Sequence, residues 1–251
     1  TIIRLAKKLG YHGYEDFKAD FLKEVYYLDT HFKNIDPNFP FVKTDNIQKI
    51  ASKVTLLAQE TLSDTLALLE HDNLQKALRI MQKANQIHLA AISYSLLLGQ
   101  IFKLDMLRIG KNVNICNTNG EELFLPAVIK NNDFIIIISY SGEIHNLCSL
   151  ARTLKGRSVP IIAITSLGDN ELKKYADVVL HISTREKLYS KIAGYSNENS
   201  IKLILDILYS CYFNLMYDDN LARRIAISKQ AEVGRESTLE IMKEDNTQSG
   251  T

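Results

Sequence analysis

Three short stretches of this chain put hydroxyl groups where apolar runs end: Ser93 and Ser95 in "AISYS", Ser139 and Ser141 in "SYSG", and Thr165 with Ser166 in "TS". Serine hydroxyls donate hydrogen bonds without adding charge, and Gly142 lets the backbone turn sharply beside them. Each stretch precedes, or lies near, a segment with helical spacing, where unpaired amides and the helix dipole favour an anion. Together these features describe a phosphate cradle. One stretch alone would be an ordinary turn or N-cap. Three on successive strands point to a ligand, with Ser95, Ser139, Ser141 and Gly142 as its expected contacts and Thr165 or Ser166 lining the same pocket.

The elements that must carry these groups follow from periodicity. Phe134, Ile135, Ile136, Ile137 and Ile138 show no period-two alternation and are mostly β-branched, which predicts a strand buried on both faces of a parallel sheet. Further strands are predicted at residues 86–92, 112–116, 159–165 and 177–182, with helices at 95–109, 121–129 and 145–154 between them. Strands alternating with helices imply a parallel five-stranded sheet flanked by helices, an α/β fold with right-handed crossovers. The carboxyl ends of such strands are where open α/β sheets hold ligands. A long amphipathic helix is expected from Asn46 to Glu70, another capped by Asn73, and more helix over 198–230.

Before the sheet region the sequence changes character. Residues 1–35 have helical spacing broken once at Gly10 to Gly13, a helix, a turn and a helix. "NIDPNFPFVKTDN", residues 34–46, contains two of the chain's 4 prolines and no helical period, which marks a linker and a domain boundary. The polar ending "KEDNTQSGT" predicts a frayed tail.

Composition limits the function classes. The chain has 251 residues, 46% of them hydrophobic, enough for one sizeable domain and an appendage. Lys and Arg total 30 against 29 Asp and Glu, so any nucleic-acid surface must be local. Cys116, Cys148 and Cys211 are far apart in apolar stretches, which suits reduced core thiols rather than disulfides or a metal site. No apolar run reaches the roughly 18 residues of a membrane helix, and the first residues are basic and amphipathic rather than a signal peptide. A cytoplasmic protein without cofactor, metal or membrane is expected.

Sugar isomerisation would need a base beside the cradle. Glu198, in "GYSNENS", is the best candidate by position and His145 the next. Each has a structural alternative, Glu198 as a first-turn acid at a helix start and His145 as a polar group on a surface helix. No catalytic residue is assigned.

"SYSGE", followed by "IIAITS" and "ADVVLHI" and preceded by "LRIGKNV", resembles the sugar isomerase (SIS) domain. "TIIRLAKKLGYHGYEDFKADF" resembles the end of the helix-turn-helix domain of RpiR-type bacterial transcription regulators. The resemblance implies residues 1–40 as the C-terminal part of a DNA-binding domain with its linker, 41–72 as a connecting helix, 73–240 as a phosphosugar-binding SIS domain, and 241–251 as a flexible tail. It makes residues 1–9 the latter part of a recognition helix, with Thr1 and Arg4 near bases or phosphates and Lys7 and Lys8 near the backbone. The earlier helices of such a domain would precede Thr1. Ala91 and Ser93 stand where the family usually has glycines, and Ile144 where it commonly has threonine. The implied function is a regulator that senses a phosphorylated sugar and binds operator DNA as a homo-oligomer, dimer or tetramer. The alternative is a phosphosugar isomerase, or an SIS ligand-binding protein without DNA function.

Overall fold

The computed structural model describes residues 2–31, 35–116 and 120–243. Its centre is one parallel sheet with strand order β2-β1-β3-β4-β5, built from β1 (Ile87–Ala90), β2 (Val113–Ile115), β3 (Phe134–Ser139), β4 (Ile161–Thr165) and β5 (Val178–His181). Every residue of β1, β3 and β4 is buried, as their unbroken apolar runs require. The two-residue period of β3 divides the core. Phe134, Ile136 and Ile138 face one cluster with Ala77 and Met81 of α4 (His71–Lys83), Phe102 and Met106 of α5 (Tyr94–Arg108), and Ile201, Ile204 and Leu208 of α8 (Tyr195–Asn214). Ile135 and Ile137 face the other, with Leu125 of α6 (Leu125–Val128) and Leu147, Leu150, Ala151 and Leu154 of α7 (His145–Gly156).

In-register pairing brings the strand ends level. Ala90 pairs with Ile137, Ser139 with Thr165, and Thr165 with His181, so the hydroxyl-bearing residues after β1, β3 and β4 emerge at one edge of the sheet. Ahead of the sheet lie α1 (Ile2–Lys8) and α2 (Tyr14–His31), joined by a turn in which Gly10 takes φ +93°. α3 (Ile47–Leu68), N-capped by Asn46 through Lys49 N–H, packs along α8.

Three elements depart locally from expectation. α4 starts before Asn73, with Glu70 as N-cap, and the Asn73 amide donates to the Glu70 carboxylate from inside the first turn. The helix expected over 121–129 is a 3₁₀ turn at Glu121–Leu123 followed by the four-residue α6, whose first turn contains Pro126. The helical stretch 198–230 is two helices, α8 and α9 (Tyr217–Ala231), separated at Leu215 and Met216. Thr1, the first linker residue Asn34 and the tail from Glu244 lie outside the described residues.

Candidate functional site

The strand order reverses between β1 and β3, since β2 lies on one side of β1 and β3 on the other. In open α/β sheets such a reversal is where the ligand crevice lies, beyond the carboxyl ends of the two strands. Ser93 and Ser95 approach it from β1, and Ser139, Ser141 and Gly142 from β3.

Ser139, the last residue of β3, is buried, and its Oγ accepts the Gly142 N–H at 3.1 Å. Ser141 Oγ accepts the Glu143 N–H at 3.2 Å and is partly exposed. Both hydroxyls act there as acceptors, so each keeps its own hydrogen for another partner. Gly142 has φ +68°, and a Cβ at this position would lie 2.1 Å from the Asn170 side chain, so the bend is reserved for glycine twice over. Asn170 Nδ2 donates to Thr165 Oγ1 at 3.2 Å, and Leu172 N–H donates to the Gly142 carbonyl at 3.0 Å. Thr165 is wholly buried and serves this internal brace, whereas Ser166 is partly exposed, its N–H bonded to the Tyr140 carbonyl.

The helix starts at this edge differ in how their amides are used. At α5 the N-cap is Ser93, with φ +57° and ψ −132°, a conformation suited to glycine, and no side-chain cap forms. Ser95 stands partly exposed in the same first turn. Ile144 begins α7 and likewise supplies no side-chain cap. At α8, by contrast, the Glu186 carboxylate accepts the N–H groups of Ser196 and Asn197 and the Lys191 ammonium. Anion-favouring amides therefore remain at α5 and α7, next to the serines.

Glu198 sits in the first turn of α8, where burial, and then the negative charge of Glu186, push its carboxyl above the usual range, with Lys191 opposing. His145 is exposed on α7, in a cleft of about 210 Å³ with Glu143, Cys148, Arg152 and Glu171. α8 and α7 cover opposite faces of the sheet, so the two candidate bases do not form a pair. Cys116 and Cys148 are buried free thiols and Cys211 a half-buried one. Burial pushes Cys116 up to about 12, with Glu121 and Glu122 adding to it, which leaves an unreactive thiol. Among the described residues no three His, Cys, Asp or Glu side chains are grouped to hold a metal, and no helix is long and apolar enough to cross a membrane.

On α1, Arg4, Lys7 and Lys8 are exposed while Ala6 is buried, so the basic groups share the outward side of that helix. Tyr140, Glu186 and Asn38 carry long-range bonds that the sequence does not signal. Tyr140 OH donates to the Glu186 carbonyl at 2.7 Å and accepts the Glu186 N–H at 3.0 Å, and burial raises the phenol to about 12. No local signal announces a bond between residues so far apart in the chain.

Residues 80–209, more than half of the chain, match the model of the SIS domain. The chain is 24% identical over 226 residues to an uncharacterized HTH-type transcriptional regulator of Clostridium perfringens, covering 90% of this chain and 79% of that protein. Among solved structures it resembles the Vibrio vulnificus NanR protein complexed with ManNAc-6P, at TM-score 0.67 and 18% identity, over 92% of this chain and 80% of that one. It also resembles the sugar isomerase domain of an RpiR transcription factor from Sphaerobacter thermophilus, at TM-score 0.64 and 16% identity, over 72% of this chain and 99% of that one.

Proposed function

This chain belongs to the SIS domain family, and on that premise we propose that it is a transcription regulator whose SIS domain takes a phosphorylated sugar and whose helical head binds operator DNA. What supports the reading is that the stretches carrying Ser95, Ser139, Ser141 and Gly142 follow β1 and β3 at the sheet's switch point, beside two helix starts without side-chain caps. The phosphate would take the serine hydrogens and the first-turn amides of α5 and α7, with Ser166 at the margin and Thr165 bracing from behind. The division of the chain into 1–40 (head and linker), 41–72 (connecting helix), 73–240 (SIS domain) and 241–251 (tail) belongs to the same reading. So do contact of Thr1, Arg4, Lys7 and Lys8 with DNA, and assembly as a homo-oligomer in the cytoplasm.

A thermal-shift panel tests it, with ManNAc-6P and other phosphosugars set against their unphosphorylated counterparts. A ligand at a hundredfold excess over Kd stabilises the native state by about 2.7 kcal/mol, which shifts the melting midpoint measurably. Phosphosugars alone should produce the shift, and Ser141→Ala should reduce it. No shift across the panel, or an equal shift in Ser141→Ala, refutes the pocket.

A second reading, phosphosugar isomerase, is favoured by one feature: Glu198, whose carboxyl is raised by burial beside Glu186, as suits a proton-transfer group. Turnover of a phosphosugar that disappears in Glu198→Gln would establish it. Binding without turnover fits the sensor.

A further inference from the structure

Residues 184–194 run from the end of β5 to the start of α8 without helix or strand. Between its anchors this loop faces water, with Leu188 54% and Tyr189 92% exposed. Yet it is tied at both ends to groups that matter for the regulator. Tyr140, between Ser139 and Ser141, holds the N–H and the carbonyl of Glu186 through its single hydroxyl. The Glu186 carboxylate in turn holds the start of α8. One residue on, the Lys187 N–H donates to Asn38 Oδ1 at 2.7 Å, and the Ile192 N–H donates to the Asn38 carbonyl at 2.9 Å. Asn38 therefore accepts from both ends of the exposed span, while its own N–H and amide fix it to Asp36. Arg185, its side chain fully buried, reaches the Ile35 carbonyl and Glu60 of α3.

We propose that loop 184–194 is a strap that couples the ligand-side loop 139–142 to segment 35–40, the stretch between the helical head and the sheet. The proposal rests on the regulator reading above and names how its two ends communicate. A polypeptide held by a few buried hydrogen bonds and little apolar packing opens as a local unit. Losing a buried tie leaves its partner unsatisfied, so release at one anchor weakens the next. A ligand that draws Ser139 and Ser141 toward its phosphate moves the peptide that carries Tyr140. That motion either tightens or frees Glu186 and, through Lys187 and Ile192, the Asn38 segment. Coupling of this kind is reciprocal, so a change at Asn38 must be felt at Tyr140.

Hydrogen–deuterium exchange on the full chain without ligand tests the strap. Tyr140→Phe removes both hydrogen bonds to Glu186 and should raise exchange roughly tenfold or more, about tenfold being the scale of one such bond, in peptides covering 184–194 and also in those covering 35–42. Asn38→Ala should raise exchange in 184–194 and, reciprocally, in 139–144. In both variants the β3 amides at 134–138 should stay as protected as in the wild type. The proposal is overturned if Tyr140→Phe loosens 184–187 and leaves 35–42 unchanged, or if Asn38→Ala has no effect at 139–144. A uniform rise that includes 134–138 also overturns it, because it marks lost fold stability rather than a released strap. No ligand enters the experiment, so its failure and that of the phosphosugar reading are seen separately.

Discussion

Ser93 is where the crevice stores strain. A residue with a side chain held at φ +57° costs roughly 1 to 3 kcal/mol relative to relaxed backbone, and glycine removes the steric part. Ser93→Gly should therefore raise the unfolding free energy by about 1 kcal/mol after the entropy of the unfolded glycine is subtracted, seen as a higher urea midpoint at constant m. Gly142→Ala should do the opposite, losing about 2 kcal/mol or more, since the new Cβ meets Asn170 in a left-handed backbone. His88 makes a pH prediction. It lies buried in β1 with Nε2 3.4 Å from Asp133 Oδ2 and Nδ1 unpartnered, and burial lowers its pKa from 6.5 although Asp133 pulls the other way. The unfolded chain then binds the proton first as pH falls below 6.5, so stability is full above that value and declines toward the folded pKa. Melting midpoints at about pH 7.5 and about pH 5.5 should fall less between them in His88→Gln than in the wild type. Burial also lowers the pKa of His181, Lys173 adding to it, with the same sign, so the variant flattens only part of the profile. The serines and Gly142 were legible in the sequence because a hydroxyl cluster after an apolar strand is a local pattern. Tyr140, Glu186 and Asn38 were not, because their bonds span 46 and 149 residues and nothing local in a tyrosine or an asparagine reports such a partner.

At the scale of elements, the sheet was the most legible part, since five consecutive apolar residues in β3 leave few alternatives to a doubly covered strand. The helix ends were less so. Asn73 has the residue type of a cap, while Glu70 beginning the turn depends on backbone angles that side-chain identity does not specify. The association of α3 with α8 was also hidden, because it is polar. Thr61 Oγ1 lies 2.6 Å from Ser196 Oγ, and Thr65 Oγ1 lies 2.7 Å from Ser200 Oγ, all four residues being buried. Thr61 Oγ1 also donates to the Leu57 carbonyl, so its single hydrogen is used and Ser196 must be the donor to Thr61. Thr61→Val should cost about 1 to 3 kcal/mol, because it strands the Ser196 hydroxyl in the seam. Adding Ser196→Ala should cost less than the two single changes combined. A double-mutant cycle in urea checks this, and strict additivity would mean that the two hydroxyls do not depend on each other.

The molecule as a whole presents one helix that is apolar on both sides. α5 buries Gly99, Phe102 and Met106 against the sheet, and on its other side Tyr94 and Leu97 are 60% exposed and Leu104 58%, with Ile101 between them. Gln100, Lys103, Asp105 and Arg108 take the remaining positions, and an exposed apolar stripe bordered by polar residues marks an interaction surface. If the chain binds a two-fold operator as proposed, a second copy of it is the fitting occupant, and the stripe starts beside Ser95 at the same sheet edge. Leu97→Glu with Leu104→Glu should shift the protein from oligomer to monomer in analytical ultracentrifugation. If the head binds DNA as proposed, the same pair should weaken operator binding while leaving the salt dependence per head unchanged, since none of the charges on α1 is touched. Lys7→Ala and Lys8→Ala should behave in the reverse way. If each lysine faces phosphate as proposed, the double variant lowers the slope of log K against log salt by about 2 per protomer and weakens all sequences alike. Arg4→Ala should cost about 1 to 3 kcal/mol at one operator position if its guanidinium reads a base. Gel shifts at two salt concentrations separate these effects. An unchanged slope in Lys7→Ala with Lys8→Ala would reduce the outward side of α1 to an ordinary solvated surface and remove the DNA half of the proposal, leaving the phosphosugar half to stand on the crevice alone.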